Sequence, residues 1–224
     1  MTVNTRPKGN VIVPDPPFAV DLFNNTRWSW LWLLLRLYLG YEWLSAGLQK
    51  LQEPGWTQTG AALQGFWKFA TQIPAPPARP AIAFGWYRDF LLAMLNAQAY
   101  TWFSKVVVAG ELIIGIALIL GFFTGIFAFI GAFMNFNFMM AGSASINPLM
   151  FLFTILIILA WKTAGWYGLD RWLLPVVGTP WYRREQIGQL RSSQVPISGE
   201  EEIGGSNAPR RIEDKPGENR SDRP

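Results

Sequence analysis

The run VVVAGELIIGIALILGFFTGIFAFIGAFMNFNFMMA, Val106 to Ala141, carries a single charged residue, Glu111. It is too long for one helix of a small soluble domain. Its centre, Phe123-Thr124-Gly125, is the one place where a turn fits. The run therefore reads as two spans, Val106–Phe123 and Gly125–Ala141, folded into an antiparallel helical hairpin. A bilayer core needs roughly 20 apolar residues of helix, and each half comes close to that.

Two further runs flank the hairpin. Upstream, Trp30 to Gln49 is apolar apart from Arg36 and Glu42. Downstream, a run centred on Pro148 to Trp161 reaches membrane length over 145–164, with Pro148 suited to a first helical turn and Asn147 to a cap. The expected fold is all-α: a four-helix transmembrane bundle with a long structured loop between spans one and two. Composition agrees. Half of the residues are hydrophobic and only 15% are charged, against roughly 25% in soluble domains. Four such runs on a short chain argue against a soluble bundle.

Around this 30–182 membrane domain lie two other regions. Residues 1–29 read as an extended Pro-rich segment. Pro14, Pro16 and Pro17 break any apolar core of a cleavable signal. Residues 183–224 hold eight basic and eight acidic side chains and few large apolar ones, so a disordered tail is expected. The net charge of +4 then belongs to the apolar part. The basic residues there are scattered around the spans, which fits juxtamembrane placement and speaks against nucleic acid. In the loop, 50–105, Thr59–Ala70 reads as a short amphipathic helix, followed by a spacer of Pro74, Pro76, Pro77 and Pro80; Trp86–Phe103 reads as helix, either lying on the membrane surface or leading into the second span as a bent extension. Trp56, Trp67, Trp86, Tyr87, Tyr100 and Trp102 fit an interfacial aromatic belt. Four spans put both termini on one side. The Lys/Arg count leans to a cytoplasmic-membrane protein with cytoplasmic termini only when the tail is included.

Cys and His are both absent. Thiolate and imidazole metal sites, disulfides, His-ligated haem and Ser-His or Cys-His catalysis are thereby excluded. No metal or haem is expected. Chemistry would have to run on carboxylates, Lys, Arg, Tyr, amides or a bound cofactor. A charge inside a bilayer is costly and faces a partner or a wet cavity, so Arg36, Glu42 and Glu111 are the residues to explain. At 1.5 Å per residue, Glu42, Glu111, Asn135 and Asn137 fall in one layer about 15–22 Å from the terminus side. Arg36 lies below them and Lys50 above. If their faces converge, a polar pocket opens toward the long loop. The same residues would otherwise serve as interhelical ion pairs and hydrogen bonds. Lys50 lies about 8 Å above Glu111 along the normal, closer in depth than Arg36.

The sequence Leu35-Arg36-Leu37 with Gly40, then Ala46-Gly47-Leu48-Gln49-Lys50-Leu51, resembles the start of the DoxX/DoxD-like membrane family. So do Gly110-Glu111-Leu112, the stretch Asn135 to Pro148, and Gly165-Trp166-Tyr167-Gly168-Leu169-Asp170-Arg171. The resemblance implies a four-helix membrane bundle with Arg36, Lys50, Glu111 and the two Asn residues as its pocket. One branch, DoxD, is similar to the large subunit of thiosulfate:quinone oxidoreductase, which works with a DoxA-type subunit or domain; no such domain is expected here, since the residues after Tyr182 read as a charged tail. The function implied is a membrane subunit of a quinone-linked redox system. Glu111 or Glu42 would exchange protons with a quinone held among aromatic side chains, with Trp43 among them. Lys50, helped by Arg88 or Lys105, would attract a small anionic sulfur substrate. The alternative is a non-catalytic accessory subunit of a larger respiratory or photosynthetic complex, its polar stripes being contact surfaces for other membrane subunits. A transporter ranks lower, since no internal repeat is evident.

Overall fold

A computed structural model describes residues 15–178, and these are helical with no strand among them. The expected tail, 183–224, and residues 1–14 lie outside the described residues. The segment before the first long helix is not extended where it is described. Pro17 occupies the first turn of a short helix, α1 (Pro17–Asn24), as proline's fixed φ and missing N–H allow. Asp21 then ties the turn that follows, accepting from Asn25 Nδ2 at 2.9 Å and Trp28 Nε1 at 3.0 Å.

Four helices form the body: α2 (Ser29–Gln52), α6 (Tyr100–Leu120), α7 (Thr124–Met140) and α8 (Asn147–Leu159). At 1.5 Å per residue they run about 36, 31, 25 and 20 Å. Among the described residues α6 alone combines membrane-crossing length with high apolarity; α7 and α8 are apolar but shorter, and α2 is more polar. The fourth helix is broken where 145–164 reads as continuous. Ala160 ends α8, and a single turn, α9 (Trp161–Ala164), follows. Asn147 is not a cap but the first helical residue, and its amide donates back to Ser143 O at 2.9 Å.

The hairpin corner also sits earlier than the Phe123-Thr124-Gly125 reading places it. Gly121 closes α6 with φ +67, and Phe123 turns the chain with φ +41. Thr124 is already helical, and Gly125 instead gives room for Trp161. Gly121 has to be glycine: its φ is left-handed, and a Cβ there would collide with the Arg36 guanidinium.

Helix α2 lies close along α6 because small residues meet there. A Cβ on Gly40 would stand 2.7 Å from Ile119, and one on Gly115 would stand 2.6 Å from the Leu44 nitrogen. α7 packs closely on α8, and α2 meets α8 more loosely. The core inside holds Trp32, Leu39, Trp43, Ile114, Leu118 and Ile157.

Residues 53–99 are structured, as expected, into α3 (Pro54–Thr57), α4 (Ala61–Ala70) and α5 (Gly85–Asn96). Leu63, Trp67, Ile82, Tyr87, Leu91 and Ala141 form a second core among them. Trp86–Phe103 is not one helix. The chain breaks at Ala97–Ala99, where Gln98 has φ +52, and α6 begins afresh at Tyr100. The last helix, α10 (Asp170–Val176), returns to the α6–α7 corner.

Candidate functional site

The buried charges fall into two separate clusters rather than one pocket. At the loop end, a Cβ on Gly47 would come 2.9 Å from the Leu112 side chain, so α2 and α6 nearly touch. One turn further along α2, Lys50 Nζ reaches back to Glu111 and donates to both carboxylate oxygens at 2.8 Å. Glu111 is 1% exposed, while the Lys50 side chain keeps 23%. The ammonium also sits 5.2 Å from the centre of the Trp56 ring, an attractive cation–π placement. Lys50 therefore spends its charge internally. It is not free to receive an anion, as the sequence reading has it doing, unless Glu111 lets go.

Arg36 belongs elsewhere. It is 14 residues from Lys50 on α2, about 21 Å along the axis. Its Nη1 donates to Leu118 O at 2.9 Å and its Nη2 to Tyr167 O at 3.0 Å. These acceptors include the carbonyl end of α6, where a helix carries partial negative charge. Asp170 completes the cluster. It is fully buried, and its Oδ2 accepts from Thr124 N at 2.9 Å, at the positive end of α7. Burial pushes the Asp170 carboxyl up from its ordinary value, opposed by its bonds at Thr124 and by the Arg36 charge. The backbone joins in: Leu169 N donates to Leu120 O and Asp170 N to Gly121 O. Two buried charges are thus each placed at the helix end of opposite sign.

Asp170 was not singled out in the sequence reading. Its signal was weak: one acid between Leu169 and Arg171, just after the last apolar run. The use of Arg36 as a clamp could not be read either, because its acceptors are backbone carbonyls, which have no residue type.

The asparagines also part company. Asn135 is fully buried and donates to Asn147 O at 2.8 Å, tying α7 to α8. Asn137 turns outward to the loop helices, where the Tyr87 hydroxyl donates to its carbonyl at 3.0 Å. Trp43 is buried against Gly131 and Phe138. Arg88 lies on α5, 3.8 Å from Asp89, and joins neither cluster. At the loop end the second core packs against the long helices, α3 and α4 both touching α6.

A cavity of different character lies on the looser seam between α2 and α8. It is a groove of about 700 Å³, lined by Leu22, Leu31, Trp32, Leu35, Tyr38 and Phe153 among others, and almost wholly apolar. Phe153 meets the Tyr38 ring edge-on at 5.9 Å. Tyr38 is among its lining residues, and its hydroxyl interacts with Glu42, one turn further along α2 and outside the lining. Glu42 is half-buried and enters none of the ion pairs among the described residues. Of Glu42, Glu111 and Asp170, it alone has neither a cation nor a helix terminus beside it among the described residues. The spacing of Tyr38 and Glu42 puts them on one stripe in the sequence. Their neighbour Phe153 comes from a helix more than a hundred residues away.

Comparison with known proteins gives one result: the DoxX family model matches residues 31–143, half of the chain, from α2 through α7. No curated protein and no solved structure matches.

Proposed function

The chain belongs to the DoxX family, whose members are membrane-associated, and from that premise we propose that it is a four-span membrane subunit of a quinone-linked redox system. The spans would be α2, α6, α7 and α8 with its α9 extension. An inverted distribution of polarity supports the membrane placement. Arg36, Glu111, Asn135 and Asp170 are buried, while Leu34, Ile113, Ile116, Phe129, Phe133 and Leu152 face outward. In water such a surface would be a large exposed apolar patch. In a bilayer it is ordinary.

The observation that carries the redox reading is Glu42, a carboxylate with no ion pair among the described residues, about 20 Å along α2 and next to Tyr38, which lines an apolar groove. An intramembrane acid with no cation paired to it is a functional candidate by default. The groove suits a membrane quinone in size and apolar character: about 700 Å³, within the usual range for ligand sites, with Tyr38 on its lining. When bound, a quinone supplies reversible uptake of electrons and protons. Tyr38 Oη would donate a hydrogen bond to a ring carbonyl. Glu42, which interacts with that hydroxyl, would exchange protons with it. Trp32 and Phe153 give the ring flat apolar walls. Electrons would come from a partner subunit or from a reduced anionic substrate such as thiosulfate, the donor of the DoxD branch. Lys50 contributes no free positive charge to such a substrate while it holds Glu111.

A second reading, a non-catalytic accessory subunit, is favoured by the internal contacts of Arg36 and Glu111, each of which ties helices together. Asp170 also bonds across the corner, but it lines a second, mainly apolar cavity of about 410 Å³ as well.

Purification from native membranes in mild detergent, followed by extraction and mass spectrometry of quinone and co-purifying chains, tests the choice. Quinone held in stoichiometric amount by the parent protein, and lost in Tyr38→Phe and Glu42→Gln but kept in Arg88→Gln, supports the redox reading. Co-migration with a large complex, and no quinone dependent on Tyr38 or Glu42, supports the accessory role.

A further inference from the structure

Helix α5 has three faces rather than two. Tyr87 and Leu91 point into the second core, 6% and 3% exposed. Trp86, Phe90 and Ala93 form a flank about 100° round the helix from them, and it is open: Trp86 is 64% exposed and Phe90 49%. Asp89 and Asn96, also exposed, form a crest about 180° from the core face. A helix lying wholly in water has no use for the aromatic flank, and one wholly in a bilayer has no place for the crest. The three faces together match a boundary: protein on one side, apolar medium on the next, water above.

The location agrees. Tyr87 hydrogen-bonds to Asn137 near the loop end of α7. Asn137 directly follows Phe136 and donates to Phe133 O at 2.8 Å. Phe129, Phe133 and Phe136 make the outward stripe of α7. That stripe therefore runs up to Tyr87, which packs between Trp86 at 5.5 Å and Phe90 at 5.9 Å. The apolar surface of the bundle continues onto α5 through this aromatic trio. The only charges on α5 are Arg88 and Asp89, which lie 3.8 Å apart and cancel.

We propose that α5 is an interfacial helix, its Trp86–Phe90 flank immersed in the acyl–headgroup boundary of the leaflet on the loop side and its Asp89–Asn96 crest in water. The occupant of the flank is phospholipid. Because α5 is neutral, the contact is driven by apolar and aromatic area and does not call for anionic headgroups. The proposal rests on the four-span reading above.

The chain has no native cysteine, so single-cysteine variants of the full chain take one nitroxide label each. Phe90→Cys reports the flank, Asp89→Cys the crest and Phe133→Cys the middle of the α7 stripe. Each is reconstituted in phosphatidylcholine vesicles. Collision with oxygen, which concentrates among acyl chains, is compared with collision with a water-soluble nickel chelate. The expected result is several-fold preference for oxygen at 90 and 133, and the reverse at 89. The values should not change when part of the lipid is replaced by phosphatidylglycerol. Trp86→Cys repeats the flank measurement one turn earlier should Phe90→Cys fold poorly. Nickel preference at 90 with oxygen preference at 133 overturns the proposal and leaves the membrane reading standing. Shielding from both reagents at 90 also overturns it, since a protein partner or second copy then covers the flank. Nickel preference at 133 removes the membrane reading and the proposal together.

Discussion

Lys50 on α2 donates to both carboxylate oxygens of Glu111 on α6 at 2.8 Å, closing the loop end of the bundle over a carboxylate that is 1% exposed. The two residues lie 61 apart in the chain. Their meeting depends on Gly47, which lets the helices approach closely enough for a side chain one turn away to reach. Removing one partner of a buried pair costs far more than replacing both, because the remaining charge keeps its desolvation penalty. Lys50→Met should destabilise the protein by about 3–5 kcal/mol in detergent unfolding. Lys50→Met with Glu111→Leu should recover most of that loss. Equal losses in the single and the double variant would show that the pair is not the source of the effect.

Arg36 presents a different demand. Its two Nη atoms serve carbonyls on separate segments, Leu118 on α6 and Tyr167 before α10. A planar fork can do this, and a single ammonium cannot. Arg36→Lys should therefore lose nearly as much stability as Arg36→Met, about 3 kcal/mol or more in each case. Thermal unfolding of the two variants side by side checks this. Full stability in Arg36→Lys would mean that charge alone matters at this position.

Two glycines should respond to alanine in opposite directions. Gly121 has φ +67 and the Arg36 guanidinium against it, so Gly121→Ala should destabilise by more than about 1 kcal/mol. Gly65 lies inside α4 with nothing near its Cβ position. Gly65→Ala should stabilise by about 0.5–1 kcal/mol through helix propensity and lost unfolded-state freedom. Denaturant midpoints of the two variants give the comparison. A neutral Gly121→Ala would argue against the tight α6–α7 corner.

Asp170 should add a pH dependence of a particular sign. Burial raises its carboxyl above the ordinary value of 3.8, so the folded protein keeps this proton to higher pH than the unfolded chain. Over that window the folded state binds more protons, and its stability falls as pH rises from about 4 through the raised value. Above the window the loss is constant. Asp170→Asn still offers an oxygen to Thr124 N but cannot titrate. Subtracting the variant's stability-against-pH curve from the parent's should leave a decline between those limits. A rise would mean that the bonds from Thr124 and the Arg36 charge outweigh burial.

The helical class and the positions of the long helices follow from hydrophobic run length, a local property, and the run boundaries lie within a few residues of α2 and α7. Errors arose where a backbone detail outranked composition. Gly121 rather than Gly125 makes the corner, since the left-handed φ falls there. The stretch 86–103 breaks at Gln98, although nothing in its composition forbids a helix. The 145–164 run breaks at Ala160 although no proline interrupts it. The candidate site was less accessible. Depth counting brought Lys50 nearer to Glu111 than Arg36, because both estimates need only the rise per residue. It also put Glu42, Asn135 and Asn137 in the layer of Glu111, because depth carries no information about azimuth.

From the chain's letters alone come the apolar runs, the scarcity of charge, the absence of Cys and His, and the family to which α2 through α7 belong. These depend on composition and on order along the chain. Which charge answers which depends on how the helices are rolled against one another. Rolling is set by glycines such as Gly40, Gly47 and Gly115, through contacts with residues some 65–79 positions away. That packing gave Lys50 to Glu111, gave Arg36 to the carbonyl end of α6 and Asp170 to the start of α7, and left Glu42 with only a tyrosine beside an apolar groove.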